Sequence, residues 1–285
     1  MVSAVDSTSR TAPLSANAVE ADPGAPQPDP WETLRRFTRA RIALGRSGGS
    51  VPTRALLDFG LAHAQARDAV HPALDVPALQ RALLAAGFGA SLQVRSAVDD
   101  RATYLRRPDL GRLLAAASRA ALADLHADAC DLLFVIADGL SARAAQTHAV
   151  PLLEQARPLL PPHWRIGPVV IVTQGRVALG DEIGTLLRAQ QVVVCIGERP
   201  GLSSPDSLGL YLTHVPRPGR TDAERNCISN VRPEGLSYAQ AAHKLAYLLN
   251  GARRLGKSGV DLKDDSEVSA MEASRLARIA LQERG

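Results

Sequence analysis

The string Gly251-Ala252-Arg253-Arg254-Leu255-Gly256-Lys257-Ser258 carries the letters of a phosphate-binding loop. A working loop of that kind follows a strand and opens a helix, so that backbone N–H groups and the helix N-terminus cradle the phosphates. Here the string follows a helical pattern and leads into Gly259-Val260-Asp261, a poor helix start. It reads as a helix C-terminus, with glycine at the cap and basic residues near the negative end. Gly87-Phe88-Gly89 opens a dinucleotide-like pattern, but position 92 is Leu and a helical segment precedes it, so it reads as a linker. The sequence has no Ser-His-Asp signature, no H-E-x-x-H and no clustered His/Cys set. Cys130, Cys195 and Cys227 are odd in number and far apart, which implies neither a disulfide framework nor a zinc pair and fits a reducing cytosol. Two other polar pairs stand directly after apolar runs: Asp138-Gly139 and Gly197-Glu198.

The elements that must position those pairs are legible in the hydropathy pattern. Residues Met1 to Pro30 are rich in Ala, Ser, Pro and Asp, and Asp22 to Pro30 cannot form a helix, so residues 1–30 read as a disordered tail. The pattern predicts helices over Trp31–Leu44 and Pro52–Asp68, the second with Leu56, Leu57, Phe59, Leu61 and Ala64 as its apolar face. A short helix over Val76–Ala86 and a strand over Ser91–Ser96 follow. Asp109 reads as the N-cap of a long helix to about Ala127. Residues 31–129 are therefore expected to be a mainly helical domain. From Asp131 the pattern changes to continuous β-branched runs, Leu132–Ile136, Val169–Val172 and Gln191–Ile196, with a fourth strand over Leu208–Val215. Helices over Ala142–Leu153, Ile183–Ala189 and, capped by Ser237, to Asn250 alternate with them. Such alternation marks a mostly parallel sheet covered on both faces. The expected fold class is α/β, a helical N-terminal region followed by a Rossmann-like, mostly parallel sheet domain over residues 130–262. Residues 263–285 form a charged C-terminal segment. Ligands of such sheets bind outside the carboxyl ends of the strands, which puts Asp138-Gly139 and Gly197-Glu198 on one rim.

Composition narrows the function. Hydrophobic residues are 46% and aromatics only 4%, so Ala, Leu and Val must fill the core, which favours helices on a sheet over a β-sandwich. The net charge of +4 is spread along the chain. Its densest cluster, Arg35, Arg36, Arg39, Arg41 and Arg46, reads as a solvated helix face or a protein contact. Only Phe37 interleaves with it, so no nucleic-acid partner is expected. No apolar run approaches the ~20 residues that span a bilayer, and no basic stretch followed by an apolar core opens the chain, so neither a membrane nor a secretory route is expected.

Six short motifs, in order, carry a resemblance. They are Tyr104-Leu105 with Arg106-Arg107-Pro108-Asp109-Leu110-Gly111-Arg112, then Asp138-Gly139-Leu140-Ser141, Gly175-Arg176-Val177, Asp181-Glu182-Ile183-Gly184, Gly197-Glu198-Arg199-Pro200-Gly201-Leu202 and Cys227-Ile228-Ser229-Asn230. Each is weak alone; the ordered set, running within about residues 31–260, resembles the small subunit of ethanolamine ammonia-lyase. The resemblance implies a heterooligomer with a large catalytic subunit that converts ethanolamine to acetaldehyde and ammonia. It implies adenosylcobalamin as cofactor, whose cobalt–carbon homolysis gives a radical that abstracts substrate hydrogen, the protein supplying orientation and exclusion of water. It also implies that substrate and radical belong to the large subunit, that this chain has no catalytic residue and is inactive alone, and that Val177, Glu198 and Cys227 contact the cobalamin.

Chemistry supports those contacts, because the corrin rim carries amides that a carboxylate or a backbone group can meet, and a thiol offers a small apolar surface. Glu198 also reads as an ion-pair partner of Arg199 or Arg176, and Cys227 as simple core. A D-x-H-x-x-G loop supplies a cobalt ligand in another family of cobalamin domains. Asp124-Leu125-His126-Ala127-Asp128-Ala129 approaches it but ends in Ala and precedes the first β-branched run. The expectation is that no residue of this chain ligates cobalt and that His126 lies on the surface near a helix end. The resemblance places the enzyme in the bacterial cytoplasm, with a bacterial microcompartment as a family option. Over Val2–Ala21, however, only Val2, Val5, Leu14 and Val19 are larger apolar groups and Pro13 interrupts them, so no stripe for a shell protein is expected and the tail should be dispensable. Two other function classes stay open on sequence: a stand-alone nucleotide-binding α/β enzyme with Lys257 at phosphate, and a purely structural assembly protein.

Overall fold

The computed structural model describes residues 29–267, so the tail over residues 1–28 and the end over 268–285 lie outside the described residues. The chain divides into two compact units, Met1–Gly60 and Leu61–Gly285.

In the first unit the expected helix over Trp31–Leu44 is a 3-10 helix, Glu32–Phe37, ended by extended backbone at Thr38. Nothing in it is buried and no side chain caps its start. A short helix without a packed face is marginal in water, so the helical stretch stops after about two turns. Helix α1, Thr53–Asp68, begins in this unit as expected. Its expected inward face is open: Leu56, Leu57, Phe59 and Leu61 are all exposed, and only Ala62 is buried.

The second unit is built on one six-stranded sheet in the order β1-β3-β2-β4-β5-β6. Its strands are β1 Leu92–Arg95, β2 Cys130–Ala137, β3 Val170–Thr173, β4 Ala189–Gly197, β5 Leu208–His214 and β6 Asn226–Val231. The four strands β1, β3, β2 and β4 pair in parallel, while β5 and β6 are antiparallel. The fold is therefore α/β with a mixed sheet. Strand β1 belongs to this sheet although it lies upstream of residue 130. The edge strand β6 has no counterpart in the sequence reading, because only Ile228 and Val231 of it are buried and its apolar signal is thin.

The helices of this unit are α2 Val76–Ala85, α3 Arg101–Arg106, α4 Ala116–Asp124, α5 Ala142–Ala156, α6 Leu179–Leu186 and α7 Tyr238–Leu255. Helices α2 and α5 follow the sequence closely, α7 runs five residues past its expected end, α6 lies earlier than the expected Ile183–Ala189, whose last residue opens β4, and α3 has no counterpart in the sequence reading. Ser237 and Gln240 form a reciprocal capping box at the start of α7. The expected long helix from Asp109 is replaced by a 3-10 turn, Leu110–Arg112, and the shorter α4. Asp109 makes no side-chain cap; its carboxylate instead accepts from the Arg107 guanidinium at 2.9 and 2.6 Å. Leu114 then bridges to Ser96 as extended backbone before α4 can begin.

Strand alternation splits the core into two layers. Phe134, Ile136 and Val193 face α2, α5 and α7 through Leu79, Leu153 and Leu245. Leu133, Val135 and Val194 face the other side with Leu122, Ile183 and Leu187.

Candidate functional site

The connections fix where a ligand can enter. From β2 the chain passes through α5 to β3 on one side, then through α6 to β4 on the other side of β2. This reversal of direction opens a crevice at the carboxyl ends of the strands. A cavity of about 440 Å³ lies there, lined among others by Gly139, Arg176, Val177, Glu198 and Tyr211.

The floor depends on two glycines. Gly139 has φ +55°, and a Cβ on it would stand 2.3 Å from the Gly197 carbonyl oxygen. A Cβ on Gly197 would stand 1.9 Å from the Ser141 carbonyl oxygen. The ends of β2 and β4 thus touch backbone to backbone, joined by the Leu140 N–H donating to the Gly197 carbonyl at 2.9 Å.

The loop between β3 and α6 forms one wall, and Asp138 holds it. Its carboxylate accepts from the backbone N–H of Gln174 at 2.9 Å and of Gly175 at 3.1 Å, with the Arg101 guanidinium 3.7 Å away. Burial pushes the Asp138 carboxyl upward against those donors and Arg101. Gln174 is held at φ +57°, a left-handed conformation that a non-glycine residue keeps only when its surroundings impose it. The buried Tyr104 hydroxyl donates to the Gly175 carbonyl at 3.0 Å, and burial pushes that phenol up to about 12, so it stays a donor. The Arg176 guanidinium stacks on the Tyr104 ring at 4.1 Å. The Arg176 N–H donates to the Gly111 carbonyl at 2.8 Å. The Val177 carbonyl accepts from the Gly180 N–H at 3.0 Å, while the Val177 N–H has no partner among the described residues.

Glu198 forms the opposite wall. One carboxylate oxygen accepts from the Asn230 N–H at 3.1 Å, and the other has no hydrogen bond among the described residues. That free oxygen lies over Gly209, where a Cβ would come within 2.9 Å of it. Glu198 forms no ion pair with Arg199 or Arg176 among the described residues. Cys227 is exposed rather than core. It stands opposite Tyr211 across the β5–β6 ladder. Crowding pushes its thiol upward, the Tyr211 hydroxyl opposes that, and the Glu198 carboxylate adds to it. A thiol raised in this way remains protonated at neutral pH and presents an apolar surface rather than a nucleophile. Val177 and Glu198 therefore share the crevice, and Cys227 adjoins it beyond Tyr211. Tyr211 itself escapes the sequence reading, since inside an apolar strand nothing distinguishes it from a core aromatic.

The other tempting strings are structural. Gly256 caps α7 at φ +72°, and Lys257 pairs with Asp261 at 2.7 Å, so the phosphate-loop letters end a helix instead of opening one. His126 is exposed just beyond α4, as expected from sequence. Asp181 meets Arg225 in a buried bidentate pair at 2.7 and 2.6 Å, tying α6 to the start of β6.

Comparison with known proteins matches the same span. The ethanolamine ammonia-lyase light-chain family covers residues 28–263. The ethanolamine ammonia-lyase small subunit of Azotobacter vinelandii is 58% identical over 250 residues, 86% of this chain and 92% of that one. The small subunits of Ralstonia nicotianae and Pseudomonas aeruginosa are each 57% identical, over 87% and 88% of this chain and 93% of their own lengths. With the crevice and its sheet both inside the matched span, this chain belongs to the ethanolamine ammonia-lyase light-chain family.

Proposed function

We propose that this chain is the small subunit of an adenosylcobalamin-dependent ethanolamine ammonia-lyase, a lyase that works only as a complex, and that its crevice covers one edge of the cobalamin against the large subunit. One observation carries the reading. Motifs spread from Tyr104 to Asn230 converge on a single rim: Gly111 holds Arg176, Asp138 holds Gly175, Gly139 meets Gly197, and Asn230 holds Glu198.

The residues fit the group. A cavity of about 440 Å³ suits at most a drug-sized ligand. A corrinoid is larger, so this chain supplies a partial wall that another chain must complete. The crevice offers a donor at the Val177 N–H and an acceptor at the free Glu198 oxygen, and Cys227 adjoins it with an apolar surface, a set that suits a rim of amides that donate and accept. Adenosylcobalamin supplies a cobalt–carbon bond that breaks homolytically to start radical chemistry. The chain's own work is to orient that rim and exclude water, with cobalt left to the cofactor's own base. We read residues 130–262 as the cobalamin-contacting region, Rossmann-like in its parallel half. The complex is assigned to the bacterial cytoplasm, with microcompartment encapsulation an implication of family alone. Among the described residues no helix is long and apolar enough to cross a membrane.

The test is co-expression. The purified chain with adenosylcobalamin should show no ethanolamine deamination, and adding the large subunit should restore it. Turnover by the chain alone would refute the subunit reading. In the complex, Glu198→Ala should raise the KM for adenosylcobalamin by roughly 10- to 150-fold, the worth of one charge-assisted hydrogen bond, while moving the KM for ethanolamine less. An unchanged cofactor KM in an intact complex removes Glu198 from the site.

A further inference from the structure

Between residues 29 and 60 no side chain is buried. Yet the segment carries the residues that build cores. In a 3-10 helix positions three apart eclipse, so Trp31, Leu34 and Phe37 form one ridge. Their exposures are 66%, 42% and 73%. On α1, Leu57, Leu61 and Ala64 repeat at the spacing of a core-facing stripe. Leu57 is 66% exposed and Leu61 60%, with Leu56 beside them at 60%. Contiguous exposed apolar residues of this kind mark interaction surfaces.

Charge selects the occupant. Residues 29–60 hold six arginines against three carboxylates. The Arg36 guanidinium lies 4.8 Å from the Phe37 ring centre, and aromatic–arginine pairs are the residues that carry binding energy at protein interfaces. A second copy of this chain would set arginines against arginines, and like charges across an interface suppress that pairing. The complementary partner is apolar at its centre and acidic at its rim.

We infer that residues 31–61 are an arm that docks onto an acidic-rimmed apolar patch of the large subunit. The inference rests on the functional reading above and adds the surface that makes the complex. The sheet body closes over the cofactor, and the arm holds the two subunits together.

The test compares the full-length chain with Leu57→Glu/Leu61→Glu and, separately, Arg35→Glu/Arg36→Glu. Each variant should keep the wild-type circular dichroism and Tm as an isolated chain, since none of the four residues is buried. Each should bind the large subunit at least tenfold more weakly. The wild-type affinity should fall with added salt, and residues 31–61 should gain hydrogen-exchange protection on assembly. Wild-type affinity in both variants, with no added protection, overturns the inference while leaving the functional reading intact. Failure of the wild-type chain to assemble at all overturns the functional reading and the arm with it. Two further results overturn the arm alone: an isolated dimer that the leucine variant splits, or protection already present in the isolated chain and lost on deleting residues 1–28.

Discussion

Phe134 and Phe37 are the same side chain with opposite fates. Phe134 sits on β2, flanked by β3 and β4 and covered by helices, and is fully buried. Phe37 ends a 3-10 helix and is 73% exposed. The difference extends to their regions. In the sheet body most large apolar residues are buried or half-buried, whereas between residues 29 and 60 none is buried. An apolar pattern states that a face should be covered. Whether the same chain covers it depends on elements distant in sequence, which periodicity alone does not report.

The contrast can be tested at once by stability. Gly197→Ala should be the most damaging of the changes considered, because its methyl group would meet backbone atoms at 1.9 and 2.6 Å that cannot rotate away. A loss of about 3 kcal/mol is expected, at the upper end of the range for overpacking. For a unit of this size that is a fall in Tm of roughly 6–12 °C. A Tm within 2 °C of wild type would show that the β2–β4 contact is looser than the backbone geometry states.

A second test uses pH. Backbone N–H donation at Thr221 and the Arg220 guanidinium hold the Glu224 carboxyl down to about 2, from 4.5. Because the folded value is the lower one, the stability this group contributes is present above pH 4.5 and is lost as pH falls towards 2. The acid-induced drop in Tm over that window should be smaller in Glu224→Gln than in wild type. Identical pH profiles would exclude the turn before β6 as an acid-labile point of the body.

Smaller still is the expected effect of Leu56→Ala. The side chain is 60% exposed, so the isolated chain should change by less than about 0.5 kcal/mol, as surface substitutions do. A loss of several degrees in Tm would mean that the arm is packed within this chain after all, and the comparison between the two regions would collapse. At the bottom of the scale, Lys257→Ala should leave lyase activity unchanged, since Lys257 is paired with Asp261 behind a helix cap. Specific ATP binding that this variant abolishes would revive the nucleotide-binding alternative.

What the sequence determined by itself is local. Continuous runs of Val, Ile and Leu marked β2, β3 and β4, and Ser237 marked the start of α7, because capping and side-chain periodicity act over a few residues; the end of α7, expected near Asn250, lies at Leu255. The rim positions of Asp138 and Glu198 followed from those strand ends. Three features needed the tertiary structure. Asp109 went to Arg107 instead of a helix cap, a choice between two local partners that spacing does not rank. Strand β6 exists because β5 offers it a ladder, with little apolar signal of its own. The crevice exists because the chain passes from β2 to β3 on one side and then from β3 back past β2 to β4 on the other, bringing residues as far apart as Tyr104 and Tyr211 around one cavity. Such contacts are set by chain crossing and backbone approach, which no window of sequence contains. The same holds in reverse for Leu57 and Leu61: their spacing specifies a buried stripe, and only the tertiary structure shows both exposed among the described residues.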